Sequence, residues 1–315
     1  MTRFDKLMAA ERSFVTDGGM ETWLFFVKGF EAPEFAAIVL TEDEAFRQAL
    51  RRYFKRFLSI AEGAKTGYVL DTNTWRGCVA WADKLGLSQA QLLELSRKAV
   101  EFSAGIRSEW QARVPDIVLN GVIGPAGDGY APGSIPSAQE AQDLHSLQIG
   151  VFAEAGVDML SAITMTNVAE ATGIVRAAKA AGLPVVISFT VETDGHLPTG
   201  DLLGDAIEAV DAATDGAPVY YMVNCAHPDH FHDAIAKGEE WISRIGGLRA
   251  NASRLSHAEL DEAEELDDGD PEEFGKLYGE LARLLPNLRV VGGCCGTDHR
   301  HIGCASRALH FETAV

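Results

Sequence analysis

Val290-Val291-Gly292-Gly293-Cys294-Cys295-Gly296-Thr297 is the stretch from which the rest of the chain is read. The run 288–291 has the apolar character of a buried strand. Two glycines end it, and two adjacent cysteines follow. A second strand pattern, 219–224, ends in the same way at Cys225. Three thiols therefore lie just past the C-terminal ends of two strands. Zinc favours thiolate ligands, and its catalytic sites commonly use three protein ligands and leave a fourth position open. Cys225, Cys294 and Cys295 are candidate zinc ligands on that ground. A lone strand-end cysteine is usually structural. A glycine-flanked pair with a third strand-end cysteine is harder to read so, although spacing alone leaves both readings open. Cys78 and Cys304 lack such a context and read as incidental thiols.

Strand and helix patterns alternate through the rest of the chain. Strands are expected at 13–16, 67–70, 117–123, 157–160, 184–189, 219–224, 242–248 and 288–293. The seventh is the weakest, because glycines interrupt it. Between them lie helices with readable starts. Thr41 and Glu44 offer a capping box for a helix over 43–63, in which Phe46, Leu50, Phe54, Phe57 and Leu58 recur at helical spacing. Ser88 with Gln91, Ser137 with Glu140, and Asn167 with Glu170 cap the next three. Helices are also expected at 201–213, from Pro228, at 271–285 and at 299–309. Eight alternations without a break in composition predict parallel strands with helical crossovers, closed into a (β/α)8 TIM barrel of one domain, 1–315. An open doubly wound sheet is the alternative. The absence of Gly-x-Gly-x-x-Gly at the first helix weakens a dinucleotide-binding reading.

The formal charge is −19, from 46 acidic and 27 basic residues. Nucleic acids and anionic membranes recruit basic patches, so neither is an expected partner. No apolar run approaches the roughly 18 residues that span a bilayer. The N-terminus lacks a signal-peptide core. Five cysteines, two of them vicinal, make a poor disulfide framework and suit a reducing compartment. A cytoplasmic location and small-molecule partners are expected. Many barrels pair, so a homo-oligomer is expected as well. The acidic segment 257–273 reads as a solvated, partly helical insertion after the seventh strand, placed to act as a lid.

In a barrel the active site forms at the C-terminal strand ends. The polar clusters here fall at those ends: Asp17-Gly18-Gly19, Asp71-Thr72-Asn73-Thr74, 120–125, Asn224-Cys225 and the cysteine pair. A substrate thiol arriving at a thiolate-bound zinc would lose its proton and become a nucleophile at neutral pH. Taken together these motifs resemble the zinc-dependent homocysteine S-methyltransferases. Gly292-Gly293-Cys294-Cys295-Gly296-Thr297, Val223-Asn224-Cys225 and Asp17-Gly18-Gly19 carry most of the resemblance. Asp71-Thr72-Asn73-Thr74 is similar to the family's Thr-Thr-Asn-Thr segment. Gly121-Val122-Ile123-Gly124-Pro125 and Ala155-Gly156-Val157-Asp158 match two further segments in family order. The resemblance implies a barrel in which Cys225, Cys294 and Cys295 hold Zn2+, and a methyl transfer to a thiol such as homocysteine, the chemistry of methionine biosynthesis. It implies that Asp17, with Gly18 and Gly19, orients the acceptor, and that Asn73 and Asn224 position the pocket. The chain has no spare domain for cobalamin or a folate, so a small sulfonium or ammonium compound is the expected methyl donor.

The departures bear on the substrate. Family members usually carry Phe-Glu-Thr after strand four, and that glutamate helps to hold the acceptor's amino group. Here the stretch is Ala162-Ile163-Thr164, so Ile163 replaces the carboxylate. Losing a charged partner for a buried ammonium costs roughly 2–5 kcal/mol. Glu192, past the fifth strand, is a candidate to compensate. Trp75 stands where the betaine-using branch has tyrosine. It offers a π face to a sulfonium or quaternary ammonium, or is an ordinary wall residue. The family's Tyr-Pro-Asn-x-Gly segment survives only as Ala250-Asn251-Ala252-Ser253. The alternatives are the same zinc barrel acting on a different thiol or demethylating another metabolite, and a barrel that binds a small ligand or zinc without turnover. His227, His230 and His232 read as surface residues of a helix rather than a second metal site. His299 or His301 is a candidate to support the zinc ligands.

Overall fold

Eight short strands carry the architecture: β1 (Phe14–Val15), β2 (Tyr68–Asp71), β3 (Ile117–Ile123), β4 (Met159–Met165), β5 (Val185–Phe189), β6 (Tyr221–Asn224), β7 (Ile245–Ala250) and β8 (Val290–Gly293). In the computed structural model, which describes residues 1–311, each strand pairs in parallel with the next. β8 returns to β1 through Phe14 opposite Val290, so the sheet is closed. The doubly wound alternative is thereby excluded. Residues 312–315, part of the single-domain expectation, lie outside the described residues. Among the described residues, no helix is long and apolar enough to cross a membrane.

The strand period of two sorts the barrel interior into layers. Phe14, Val69, Val118, Met159, Val186, Met222 and Val290 pack against one another at one level. Two residues further along the same strands stand Thr16, Asp71, Asn120, Ser161, Ser188, Asn224 and Gly292, with Arg249 from β7. All of the polar side chains in this second set are buried. The barrel is thus apolar toward the N-terminal strand ends and polar directly beneath the loops that follow the C-terminal ends. A helix missed in the sequence, Arg3–Ala9, covers the apolar end, with Leu7 packed into the lower layer.

Outside, helices separate successive strands, and their buried stripes form the main core with the outward faces of the sheet. Phe46, Leu50, Phe54, Phe57 and Leu58 of Glu44–Ala64 are all buried, as their spacing predicts. Each such side chain contributes about 1.5–3 kcal/mol when removed from water. The capping boxes at Ser88 and Ser137 form as read. The one at Thr41 does not. Asp43 is the cap and accepts from Phe46 N, while the Thr41 hydroxyl donates to the Ile38 carbonyl. Asn167 caps its helix alone. The Glu170 carboxylate turns instead to Ala126 N and the His145 ring.

β7 begins three residues later than expected and runs to Ala250. Its glycines mark crowding rather than weak pairing. A Cβ on Gly247 would lie 2.6 Å from Met222 Cγ on the neighbouring strand. Gly247→Val is therefore expected to destabilise the fold by about 1–3 kcal/mol through overpacking. Met222→Ala in the same chain should recover part of the loss. Urea unfolding midpoints of the two variants provide the check, and an unchanged midpoint for Gly247→Val would refute the crowding.

Candidate active site

Cys225 follows β6 with a backbone φ of 56°, an uncommon conformation for a residue with a side chain. Its backbone is fixed at both ends. Cys225 N donates to the Arg249 carbonyl at 3.2 Å, and its own carbonyl accepts from His257 Nε2 at 2.8 Å and Thr190 Oγ1 at 3.3 Å. Cys294 and Cys295 follow β8. Cys294 N donates to Ala250 O, and Ala252 N donates to Cys295 O. The Thr297 hydroxyl closes the turn onto Cys294 O at 2.8 Å. These bonds bring the three Sγ atoms within 4.8 Å of one another. All five cysteines are free. The trio is the one compact group of potential metal ligands among the described residues.

The thiols do not share their protons evenly. Hydrogen bonds from Cys225 and Cys295 hold Cys294 well below the ordinary thiol range, and Arg249 and Asn224 add to this. Cys225 is raised, chiefly through its hydrogen bond with Cys294. Cys295 is also raised: Cys225 pulls it down, and Cys294 together with burial outweighs that pull. Of the three, Cys294 is thus the readiest to ionise.

Beneath them lies the polar layer. Arg249 donates to Asp17 at 2.5 Å and to Asp71, and its Nε reaches the Gly293 carbonyl at 3.2 Å. Asn120 donates to the other Asp71 oxygen at 2.7 Å. Burial pushes Asp17 up to about 7 against the pull of Arg249, with Asp71 adding to the rise. One guanidinium therefore serves two carboxylates. Arg249 escaped the sequence reading because its partners lie 178 and 232 residues away.

The residues expected at the site divide by what they touch. Asp17, Gly18, Gly19, Trp75, Ile163 and the three cysteines all line a cavity of about 430 Å³ at the C-terminal end of the barrel. Gly19 is required by close approach, because a Cβ there would lie 2.6 Å from Cys294 O. Asn224 works beneath the surface. Its Oδ1 accepts from Thr164 N and Ser188 Oγ, and its Nδ2 donates to Thr164 Oγ1 at 2.8 Å. That clamp holds Thr164 at a φ of 64°, inside the bulge that ends β4. Asn73 is buried away from the cavity lining and anchors the 37–41 loop through Thr41 Oγ1 at 2.9 Å. Trp75 donates from Nε1 to the Ile163 carbonyl at 3.2 Å, and the Arg76 guanidinium sits 4.1 Å from its ring centre. One face of that ring is already taken by a cation.

Other expectations are corrected. Glu192 does not line the cavity; it lies 2.9 Å from His257 Nδ1, in a pair that secures Cys225. His301 does not support the cysteines. It is buried against Phe274 and donates to the Asp268 carbonyl at 2.7 Å, anchoring the acidic segment. His299 contacts Arg56 and Asp298. His227 is not a surface residue; it is buried as the cap of Pro228–Ala236. The acidic segment folds over the cavity, with Leu260, Asp261, Glu265 and Asp267 in its wall. Tyr130 was also missed. Its hydroxyl lies 3.1 Å from Cys225 Sγ, and its ring stacks on His257 at 4.1 Å. Tyr130 follows the glycine-rich loop 124–129, and nothing local in that loop shows that it delivers a hydroxyl to the thiols.

The homocysteine S-methyltransferase family pattern matches residues 14–309. The chain belongs to that family. It is a methyltransferase by that membership. Homocysteine S-methyltransferase YbgG of Bacillus subtilis (strain 168) is 26% identical over 287 residues, which cover 85% of this chain and 84% of the relative. Homocysteine S-methyltransferase 3 of Zea mays is 24% identical over 264 residues, 77% of this chain and 76% of that one. The fold matches that of the homocysteine methyltransferase MmuM from Escherichia coli. Its metallated form gives a TM-score of 0.72 at 20% identity, over 97% of this chain and 99% of that one. Its oxidised form gives 0.75 at 21% identity, with the same coverage.

Removing Arg249 would leave Asp17 and Asp71 buried together. Arg249→Met is expected to cost about 3–5 kcal/mol at pH 8. Asp17 already has a folded pKa above its free value, so the folded chain takes up a proton there as pH falls, and the penalty shrinks. Unfolding in urea at pH 8 and pH 5 checks this. An equal loss at both values would mean that charge is not the cause.

Proposed function

We propose that this chain transfers a methyl group from a small sulfonium or quaternary ammonium donor to the thiol of homocysteine. Cys225, Cys294 and Cys295 are the proposed holders of one zinc ion, with Asp17, Gly18, Gly19, Trp75 and Ile163 in the substrate wall. The observation that carries the reading is the group of three sulfurs at the floor of an acidic cavity. An all-sulfur donor set of this size suits zinc better than a hard oxygen-seeking cation. When bound, zinc supplies the positive field under which an incoming thiol gives up its proton.

The chain's own residues do the rest. Asn224 and His257 hold the strand ends that aim the sulfurs into the cavity. Tyr130 and the acidic segment cover the mouth and limit water. Exclusion of water matters here, because hydration would stabilise a separated thiolate and cation more than the transition state between them. Aligning donor methyl and acceptor sulfur in line accounts for much of the remaining rate. The cavity wall favours a cationic donor. Its two arginines are engaged, Arg249 by Asp17 and Asp71, and Arg76 by Asp128 and two indole rings. The unpaired charge that remains is negative.

A second reading is favoured by one observation. Ile163, buried in the wall, offers no charge where the family has a carboxylate. A different thiol is then the acceptor. Mass analysis of products from homocysteine and other thiols, each with sulfonium and trimethylammonium donors, separates the two. Methylation of homocysteine supports the first reading, and methylation of other thiols alone supports the second.

The metal makes its own prediction. Cys225 and Cys295 are both raised above the ordinary thiol range, so metal binding is expected to release two protons. Zinc affinity should rise by roughly a hundredfold per pH unit near neutrality. Competition with a chromophoric chelator at several pH values measures the slope. A flat profile, or a protein purified with intact thiols that takes up no near-stoichiometric zinc, would end the zinc mechanism.

A further inference from the structure

We infer that Glu21 is the anchor for the ammonium group of an amino-acid substrate in this cavity. The inference rests on the homocysteine reading above and names a residue for it. Glu21 lies in the short helix Met20–Thr22, directly after the two glycines that press against the cysteine turn. That helix is bonded to the metal-ligand segment on both sides. Gly19 N donates to Thr297 O at 3.0 Å, and Gly296 N donates to Thr22 Oγ1 at 3.3 Å. Glu21 therefore enters the cavity wall beside Cys294, on a support that moves with the thiols.

Its carboxylate is free in a way that the other deep acids are not. Asp17 and Asp71 are both taken by Arg249. Asp128 is held by Arg76 and by the amides of Tyr130 and Ala131. Glu21 is half-buried, and no ion pair or hydrogen bond joins its carboxylate to another described side chain. A carboxylate drawn out of water without a partner is costly, and an ammonium group offers the missing charge and donors. Burial pushes Glu21 up to about 7 against a hydrogen bond from its own backbone amide and the charge of Arg249, with Asp71 adding to the rise. Burial and the charge of Asp71 favour a cation beside it, and Arg249 works against one. On the far wall Ile163 is neutral, so the anchoring charge has changed sides of the cavity while the sulfur site has stayed in place.

The test compares two thiols that differ only in the amine, L-homocysteine and 4-sulfanylbutanoate. Both are titrated calorimetrically into zinc-loaded wild-type, Glu21→Gln and Glu21→Asp proteins, with zinc content measured on each. The wild-type protein should prefer homocysteine. Glu21→Gln should lose about 10- to 100-fold in homocysteine affinity and bind the amine-free thiol as before, so that the preference disappears. Glu21→Asp should keep the preference in weakened form. A preference that survives unchanged in Glu21→Gln overturns the assignment of Glu21 and leaves the acceptor reading intact. No binding of either thiol to the zinc-loaded wild-type protein overturns the acceptor reading, and the role of Glu21 with it.

Discussion

One guanidinium governs the centre of this barrel. Arg249 stands between Asp17 and Asp71, and its removal would leave two buried carboxylates without a cation. The arrangement also reaches the metal-ligand group. Arg249 Nε binds the Gly293 carbonyl one residue before the cysteine pair, and its charge helps to hold Cys294 as the thiolate of the trio. Two carboxylates against one cation leave a net negative floor. The cavity above inherits that sign before any of its own acids are counted.

The thiol group depends on the same economy of contacts. Cys225 and Thr164 both occupy left-handed backbone conformations, which cost of order 1–3 kcal/mol each. Each is restrained by neighbouring side chains. Asn224 clamps Thr164 through donor and acceptor together, while His257 and Thr190 converge on the Cys225 carbonyl. His257 belongs to the acidic segment and also stacks on Tyr130. Roof and floor are therefore one connected piece, and a displacement of the acidic segment would be felt at Cys225.

What the sequence made legible follows from the range of the interactions concerned. Strand and helix periods are local, so the barrel and most helix caps were readable. The Gly-Gly-Cys-Cys turn was readable because close backbone approach and ligation both act within a few residues. The failures are long-range. Arg249 lay one residue past the expected seventh strand, and only barrel closure brings Asp17 and Asp71 to it. Glu192 and His301 are near the site in sequence order, yet their partners His257 and Asp268 draw them to the roof. Gly247 reads as a break in a strand, because the bulk of Met222 that fills its space belongs to another strand. The sequence pointed to Thr41 as the cap of Glu44–Ala64. The choice fell to Asp43 because Asn73, 32 residues on, donates to the Thr41 hydroxyl.

The charges of the cavity bear on the proposed chemistry in a way that binding alone does not. A cationic donor and a thiolate react to give two neutral products, so charge is lost along the reaction path. An environment that solvates both ions strongly would deepen the ground state and slow the transfer. Acids placed against the methyl-bearing centre would have that effect. In this chain the deepest acids are spent on Arg249, and Trp75 and Ile163 present apolar surface to the same space. On the proposed reading, Glu21 holds an ammonium group that takes no part in the transfer, so its attraction orients the substrate without being lost as the methyl moves. Charge is then balanced beneath the reacting centre by Arg249, absent at Ile163, and kept at Glu21, where it can position.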